Sequence, residues 1–326
     1  MIYLTDYVAD PDIERAILSD RLFAFSEGSV DKKTVEVLLV WHFAVTEAVL
    51  KDYPKLRAVV RYGVGVDNID LEACQKAGVK VFNNPDYGVD EVSDTAVAMI
   101  MALSRNVIAY DKLARNLVQK SNPNLTWQEN TKSSSKRLSD CTLGVVGVGR
   151  IGSAVVRKML PIVKNVEFYD PFVSAGFEKT LKAGRHDSLP ELLKNSDIIT
   201  VHVPLSGSTR GLIDETFLAN MKQGAILVNT ARGGLIADLD CLSAALASGD
   251  LFAVGLDVLP EEPPKFDGSQ ALLNQWLRDE PEFEGRIIIN PHTSYYSPQS
   301  YREMRVKAAQ IAFNVANDTQ SLNRIV

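Results

Sequence analysis

The chain has 326 residues, 46% of them hydrophobic and 23% charged, which suits roughly two soluble domains of about 100–200 residues each, with a core that needs no staples. A net charge of −6 and a pI near 5.4 exclude a global basic footprint for nucleic acid or anionic lipid. Cys74, Cys141 and Cys241 lie far apart with no CxxC, which argues against a disulfide framework and suits a reducing cytoplasm.

Residues 1–6 read as a short strand, without the basic and apolar regions of a signal peptide. No apolar run reaches the ~18 residues of a membrane span, so a cytoplasmic chain without membrane contact is expected. Apolar runs at 2–4, 35–41, 56–61 and 79–82, with helix-like stretches between them such as 71–77, predict a parallel sheet covered on both faces. Residues 91–104 are apolar at helical spacing and predict one long helix. The stretch 106–140 breaks this alternation. A helix-like piece over 106–119 runs into Ser121, Asn122 and Pro123, then Trp127 and the polar run 132–137. It reads either as a solvated linker or as an arm that packs on another subunit with Trp127 as its anchor. Strands over 143–146, 166–169, 198–203, 225–229, 252–256 and 286–289 then alternate with helices over 151–160, 189–194, 214–221 and 239–247. A Pro- and acid-rich insertion, 260–285, precedes the last of these strands. The expected fold class is α/β, with two doubly wound parallel-sheet domains.

The first chemical signal is Gly147-Val148-Gly149-Arg150-Ile151-Gly152, which follows an apolar strand and opens a helix. That context turns a weak GxGxxG match into a dinucleotide fingerprint. Gly147 permits the tight turn, Gly149 leaves room for a pyrophosphate, and Gly152 lets the helix approach the strand. The pyrophosphate would rest on the helix N-terminus. The second strand of this half ends in Asp170, 18 residues after Gly152. A carboxylate there accepts hydrogen bonds from ribose hydroxyls and repels a 2′-phosphate, so NAD is the expected cofactor.

Three ionisable residues follow strand ends: Arg232 in Asn229-Thr230-Ala231-Arg232-Gly233-Gly234, Glu262 in Pro260-Glu261-Glu262-Pro263, and His292 in Asn290-Pro291-His292. Ligands of open α/β sheets bind beyond the carboxyl ends of the strands, so the three can share one crevice. Reducing a 2-keto acid needs a proton donor at the carbonyl oxygen, which His supplies. It also needs a carboxylate to orient that imidazole and a cationic fork for the substrate carboxylate. Singly, each residue also suits a bland role: a surface ion pair, a solvated loop acid, a hydrogen-bonded turn histidine. His42, His186 and His202 are assigned to structure, and no metal-ligand spacing exists among the histidines.

At these residues the sequence resembles the D-isomer-specific 2-hydroxyacid dehydrogenase family. The likeness runs through Gly63-Val64-Gly65-Val66-Asp67-Asn68-Ile69-Asp70, residues 147–152, Val201-His202-Val203-Pro204-Leu205, residues 229–234, residues 256–263 and Pro291-His292. It implies His292 as acid/base, Glu262 as its partner (with Glu261 ranked second) and Arg232 as the substrate anchor. It also implies that Val64 and Gly65 present amides to the substrate carboxylate. Thr230, Ala231 and Asp257 would lie on the nicotinamide side, with Arg150, Ile151, Pro204 and Thr209 elsewhere along the cofactor. The resemblance further implies a Rossmann cofactor domain over 106–291, inserted into a flavodoxin-like substrate domain built from 1–105 and 292–326. The stretch 106–140 would be a dimerisation arm, making a homodimer. Arg61, residues 230–235 and residues 292–297 are similar to the C-terminal-binding-protein subgroup, NAD-binding corepressors with this fold, although Tyr295 replaces a Trp there and the insertion is longer.

The expected activity is hydride transfer between NAD(H) and C2 of a small D-2-hydroxy or 2-keto acid. The rival from another class is an NAD(H)-sensing, corepressor-like binding protein with little turnover. Arg61, Tyr62, Tyr87 and Tyr295 are candidates for the substrate wall, and Arg61 favours a second acidic group.

Overall fold

Two parallel sheets organise the chain, and in both the carboxyl ends of neighbouring strands finish nearly level. The computed structural model describes residues 1–120, 135–278, 280 and 282–326. Trp127 and residues 121–134 of the expected arm lie outside the described residues. The chain divides into two compact units, residues 1–88 with 295–326, and residues 89–294, the second inserted into the first.

The first unit begins with β1 (Ile2–Leu4), α1 (Asp12–Leu18), β2 (Leu22–Ala24), β3 (Val37–Val40), α2 (Glu47–Asp52), β4 (Ala58–Arg61), α3 (Leu71–Lys76) and β5 (Lys80–Phe82). The strand order is β2-β1-β3-β4-β5, all parallel, which is the flavodoxin-like order. Sequence reading finds four of these strands. It misses β2, which is three residues long with only its two ends buried. Side chains alternate between the two faces of the sheet. Ile2, Leu4, Val37, Leu39, Ala58 and Val60 form one core, and Leu38, Val40, Val59 and Val81 another. Double burial explains why these strands read as continuous apolar runs.

The second unit contains α4 (Val89–Ser104), α5 (Val107–Lys120), β6 (Thr142–Val146), α6 (Arg150–Met159), β7 (Asn165–Tyr169), α7 (Phe177–Leu181), β8 (Gly184–Arg185), α8 (Leu189–Asn195), β9 (Ile198–Val201), α9 (Glu215–Asn220), β10 (Ala225–Asn229), α10 (Leu239–Ser248), β11 (Leu251–Leu256), α11 (Ala271–Arg278) and β12 (Ile287–Ile289). The strands run β12-β11-β10-β9-β6-β7-β8. This is the dinucleotide-binding order with one strand added at an edge. The added edge strand is β12. The strand that sequence reading misses is β8, only two residues long. The insertion before β12 holds a short helix, α11, whose Leu272 and Leu273 join the core.

The units divide at residues 88/89 and 294/295, not at the expected 105 and 292. Packing of α4 is the reason. Ala96, Met99, Ile100 and Leu103 enter the core beneath the seven-stranded sheet. A Cβ at Gly255 would stand 3.2 Å from both Leu103 Cδ1 and Met99 Sδ, so β11 meets this helix at close range. The chain then returns to the first unit as α12 (Pro298–Ala316), whose Met304, Ala308 and Ala312 cover one face of that sheet. Ser297 caps α12 by accepting from Ser300 N at 2.9 Å. No single helix among the described residues is long and apolar enough to cross a membrane.

Candidate active site

Strand register sets which side chains share the carboxyl edge of the second unit. Val146 pairs with Tyr169 and Val201, Val201 with Asn229, Asn229 with Leu256, and Leu256 with Ile289. The residues just beyond these positions are Gly147, Asp170, His202, Thr230, Asp257 and Asn290. The fingerprint, Asp170 and the loops of Arg232, Glu262 and His292 therefore line one edge.

The fingerprint glycines each meet a distinct steric demand. Gly147 has φ +87°, and a Cβ there would press on Val203 Cγ1 at 2.7 Å. A Cβ on Gly152 would lie 2.0 Å from Gly147 O, whereas one on Gly149 would meet nothing within 4 Å. Gly149 is also the N-cap of α6, with no side-chain cap, so the positive helix end opens onto a cradle that a side chain would fill. Asp170 closes the other side. Its Oδ2 accepts from Val148 N at 3.0 Å and its Oδ1 from Phe172 N at 2.9 Å. The glycine loop and Asp170 are thus one hydrogen-bonded unit, and the residues fit a dinucleotide. Arg150 is exposed beside it and Ile151 is half-buried.

The ionisable trio sits on three adjacent loops. His292 Nδ1 lies 2.7 Å from Glu262 Oε2, and Glu262 Oε1 accepts from Leu259 N at 2.8 Å. Burial works to raise the Glu262 pKa. The hydrogen bonds from His292 and Leu259, with the charges of His292 and Arg232, outweigh it and hold the carboxyl below its ordinary value. The neighbouring Glu261 instead pairs with Lys265. His292 has φ +55°, a conformation that costs energy in a non-glycine residue and persists only when its surroundings enforce it. Asp257 enforces it here. Its carbonyl accepts from His292 N at 2.8 Å, and its carboxylate accepts from Thr293 N at 3.0 Å and Ser294 N at 3.1 Å.

Arg232 is half-buried, with Nη1 donating to Ala231 O at 2.7 Å. Its turn is shaped by the buried side chain of Asn229, which donates to Arg232 O at 3.0 Å and accepts from Ala231 N at 3.0 Å. Sequence reading passes over Asn229, although an Asn at a strand end is a turn signal of its own. Thr230 is buried, and its hydroxyl has no hydrogen-bond partner among the described residues.

Other expected cofactor residues have mainly local bonds. The Thr209 hydroxyl donates to Pro204 O at 2.6 Å and accepts from Ser206 N at 2.8 Å, closing its own loop. His202 Nε2 meets Thr200 Oγ1 at 2.9 Å. Burial pushes this imidazole down to about 3, so it stays neutral. His186 pairs with Glu167 at 2.6 Å. Burial pushes the thiols of Cys74, Cys141 and Cys241 up, Cys74 to about 11, so they are weakly reactive.

Within the first unit, Val64 and Gly65 lie in the loop after β4, beyond Tyr62 and Gly63. Two residues that sequence reading misses, Asn83 and Asn84, hold this loop from one side. Asn84 Nδ2 donates to Tyr62 O at 2.9 Å, Asn84 N to Gly63 O at 3.2 Å, and Asn83 Nδ2 to Val64 O at 2.6 Å. In a planar trans peptide the N–H points opposite the carbonyl. The amides of Val64 and Gly65 therefore turn away from the two asparagines. Arg61 Nε donates to Asn68 Oδ1 at 3.2 Å. Tyr295 packs edge-on against Tyr87 with ring centroids 6.1 Å apart.

Residues 97–294 match the model of the D-isomer specific 2-hydroxyacid dehydrogenase family, NAD binding domain. The chain is 39% identical over 222 residues to a D-3-phosphoglycerate dehydrogenase of Methanocaldococcus jannaschii, covering 68% of this chain and 40% of that one. It spans less than half the length of the curated relatives it matches. Among solved structures, a D-lactate dehydrogenase of Aquifex aeolicus, complexed with NAD and lactic acid, is 29% identical with a TM-score of 0.79, covering 97% of this chain and 95% of that one. A glyoxylate reductase of Paecilomyes thermophila is 25% identical with a TM-score of 0.83, covering 99% and 97%.

Proposed function

This chain belongs to the D-isomer specific 2-hydroxyacid dehydrogenase family, and from that premise we propose that it interconverts a small D-2-hydroxy acid and its 2-keto acid with NAD as cofactor. The observation that carries this reading is the His292–Glu262 pair, held at 2.7 Å on the same sheet edge as the dinucleotide cradle. When bound, the nicotinamide supplies or accepts the hydride at C2. His292 Nε2 gives a proton to the C2 oxygen during reduction and takes it back during oxidation. Glu262 accepts from Nδ1–H, which fixes the tautomer and stabilises the imidazolium. Arg232 presents its fork to the substrate carboxylate, raising affinity and polarising the adjacent carbonyl. In the first unit, taken by itself, Val64 and Gly65 carry the amides read as carboxylate donors, with Arg61 and Tyr295 as further substrate candidates. The second contributes Gly147, Gly149, Gly152, Asp170, Thr230 and Ala231 to the cofactor. The same reading makes the chain a homodimer joined through 106–140. The described helix α5 supports this with exposed Val107, Ile108 and Val118, and light scattering of the purified protein tests it.

The relatives' names span singly acidic substrates, D-lactate and glyoxylate, and a doubly acidic one, D-3-phosphoglycerate. The test is a screen of glyoxylate, hydroxypyruvate, pyruvate, phenylpyruvate and 2-ketogluconate with NADH. Reduction of at least one at a rate set by enzyme concentration is the expected result. Tight NADH binding without reduction of any would replace the dehydrogenase with an NAD(H)-sensing protein.

A further inference from the structure

Ser153 lies inside α6, outside the glycine fingerprint, and its hydroxyl bonds in an uncommon direction. A helical serine that bonds to backbone ordinarily donates to the carbonyl three or four residues back in its own helix. Ser93 of α4 does this, donating to Val89 O at 2.7 Å and to Asp90 O at 3.0 Å. Ser153 instead donates to Val148 O at 2.7 Å, five residues back and ahead of the helix. Its own N–H bonds Gly149 O at 3.0 Å and closes the first turn. Ser153 is 8% exposed and Val148 2%, so the hydroxyl bond is sheltered from water.

Val148 is thus held by side chains at both of its backbone polar atoms, N by Asp170 Oδ2 and O by Ser153 Oγ. In a planar trans peptide the N–H points opposite the carbonyl. In the 147–148 peptide the N–H faces Asp170. The Gly147 carbonyl faces Gly152, where a Cβ would stand 2.0 Å from it. In the 148–149 peptide the carbonyl faces Ser153, so the Gly149 N–H points away from Ser153. That N–H precedes the amides of Arg150 and Ile151, which have no acceptor inside the helix. Gly149 makes the constraint necessary. Lacking a Cβ, it leaves the 148–149 peptide free to rotate. A rotated peptide would present a carbonyl oxygen, in place of an N–H, to an anion at the helix end.

We propose that Ser153 is a positioning residue for the cofactor's pyrophosphate: its hydroxyl locks the 148–149 peptide with the Gly149 N–H turned outward. The inference rests on the reading of the glycine loop as the pyrophosphate cradle and deepens it, and all of its parts lie within the second unit. Ser153 itself touches no ligand. It acts through Val148 O, as Asp170 acts on the preceding peptide through Val148 N. Removing the hydroxyl leaves a buried carbonyl without its partner, and turning the peptide toward water relieves that loss at the expense of the anion.

Two fragments of the cofactor, bound to the full chain and measured by displacement of NADH fluorescence, test this: ADP-ribose, which carries the pyrophosphate, and adenosine, which does not. The wild type holds ADP-ribose about tenfold or more tighter than adenosine. Ser153→Ala raises the Kd of ADP-ribose about tenfold, the weight of one hydrogen bond to a charged group, and leaves that of adenosine within about twofold. Ser153→Thr keeps the hydroxyl and stays within about threefold of wild type for both fragments. Thermal melting reports that each variant is folded at the assay temperature. A merely structural role would weaken both fragments alike or neither. Three results overturn the role of Ser153 and leave the cradle standing: an Ala variant with a near wild-type Kd for ADP-ribose, an Ala variant that loses both fragments equally, or a Thr variant as weak as Ala toward ADP-ribose. A wild type that holds ADP-ribose no more tightly than adenosine overturns the cradle and the positioning role together.

Discussion

A methyl group on Gly233 would stand 1.8 Å from the carbonyl oxygen of Leu259 and 2.7 Å from Pro260 N. The loop after β10, which carries Arg232, and the loop after β11, which carries Glu262, are therefore in backbone contact where that side chain is missing. Leu259 also donates its N–H to Glu262 Oε1, so the contact reaches the carboxylate behind His292. Gly233→Ala forces one of the two loops to move, and overpacking of this kind costs about 1–3 kcal/mol. The expected result is a lower Tm together with a fall in kcat of about tenfold or more, with NADH affinity changed far less. Wild-type Tm and kcat in this variant would contradict the tight-contact account.

Under the proposed function Asp170 serves two ends at once, because the carboxylate proposed to meet the ribose also accepts from Val148 N and Phe172 N. Asp170→Ala removes the repulsion of a 2′-phosphate and also frees the glycine loop. The NAD-over-NADP preference, measured as a ratio of Kd values, is expected to fall by about tenfold or more. Part of that fall comes from weaker NAD binding, at about 1–3 kcal/mol for hydrogen bonds to a charged group. A variant that still rejects NADP as strongly as the wild type would remove Asp170 from cofactor selection.

Much of this was legible in sequence for a simple reason. Strands buried on both faces are continuous apolar runs, so Val37–Val40 and Ala225–Asn229 announced themselves. The fingerprint was read because strand, glycines and helix must occur in that order. Short edge strands escaped: β2 and β8 have three and two residues, too few for any period to show. The unit boundary escaped because α4 is equally apolar whichever sheet it covers, and only its tertiary packing, with Ala96, Met99, Ile100 and Leu103 in the second unit's core, decides it. Asp257 was placed by resemblance beside the nicotinamide. Its carboxylate is turned onto Thr293 N and Ser294 N, a long-range bond that no local pattern encodes. The same holds for Asn83 and Asn84 beneath the Val64 loop, about 20 residues downstream of it.

Acid should weaken the second unit through a nameable pair. Asp197 accepts from Thr142 N at 2.9 Å and pairs with Lys222 at 2.5 Å. Burial works to raise its pKa, but the Lys222 and Thr142 hydrogen bonds outweigh it and hold the carboxyl below its ordinary value. A carboxyl whose folded pKa is depressed adds stability that is fully present above its unfolded value, about 4. That stability is lost as pH falls through the lower folded value. The Tm difference between wild type and Asp197→Asn is therefore expected to be constant from neutral pH to about pH 5 and to shrink below about pH 4. A difference that grows on acidification would reverse the sign and refute the assignment.

Single-turnover reduction of whichever 2-keto acid the wild type turns over best, followed as NADH loss in His292→Ala and wild type, bears most directly on the proton-transfer pair. The expected outcome is a rate lower by about 10²–10⁴-fold, the usual weight of a general acid, with NADH still bound at near wild-type affinity. A rate within about twofold of wild type would show that the imidazole facing Glu262 moves no proton in this reaction.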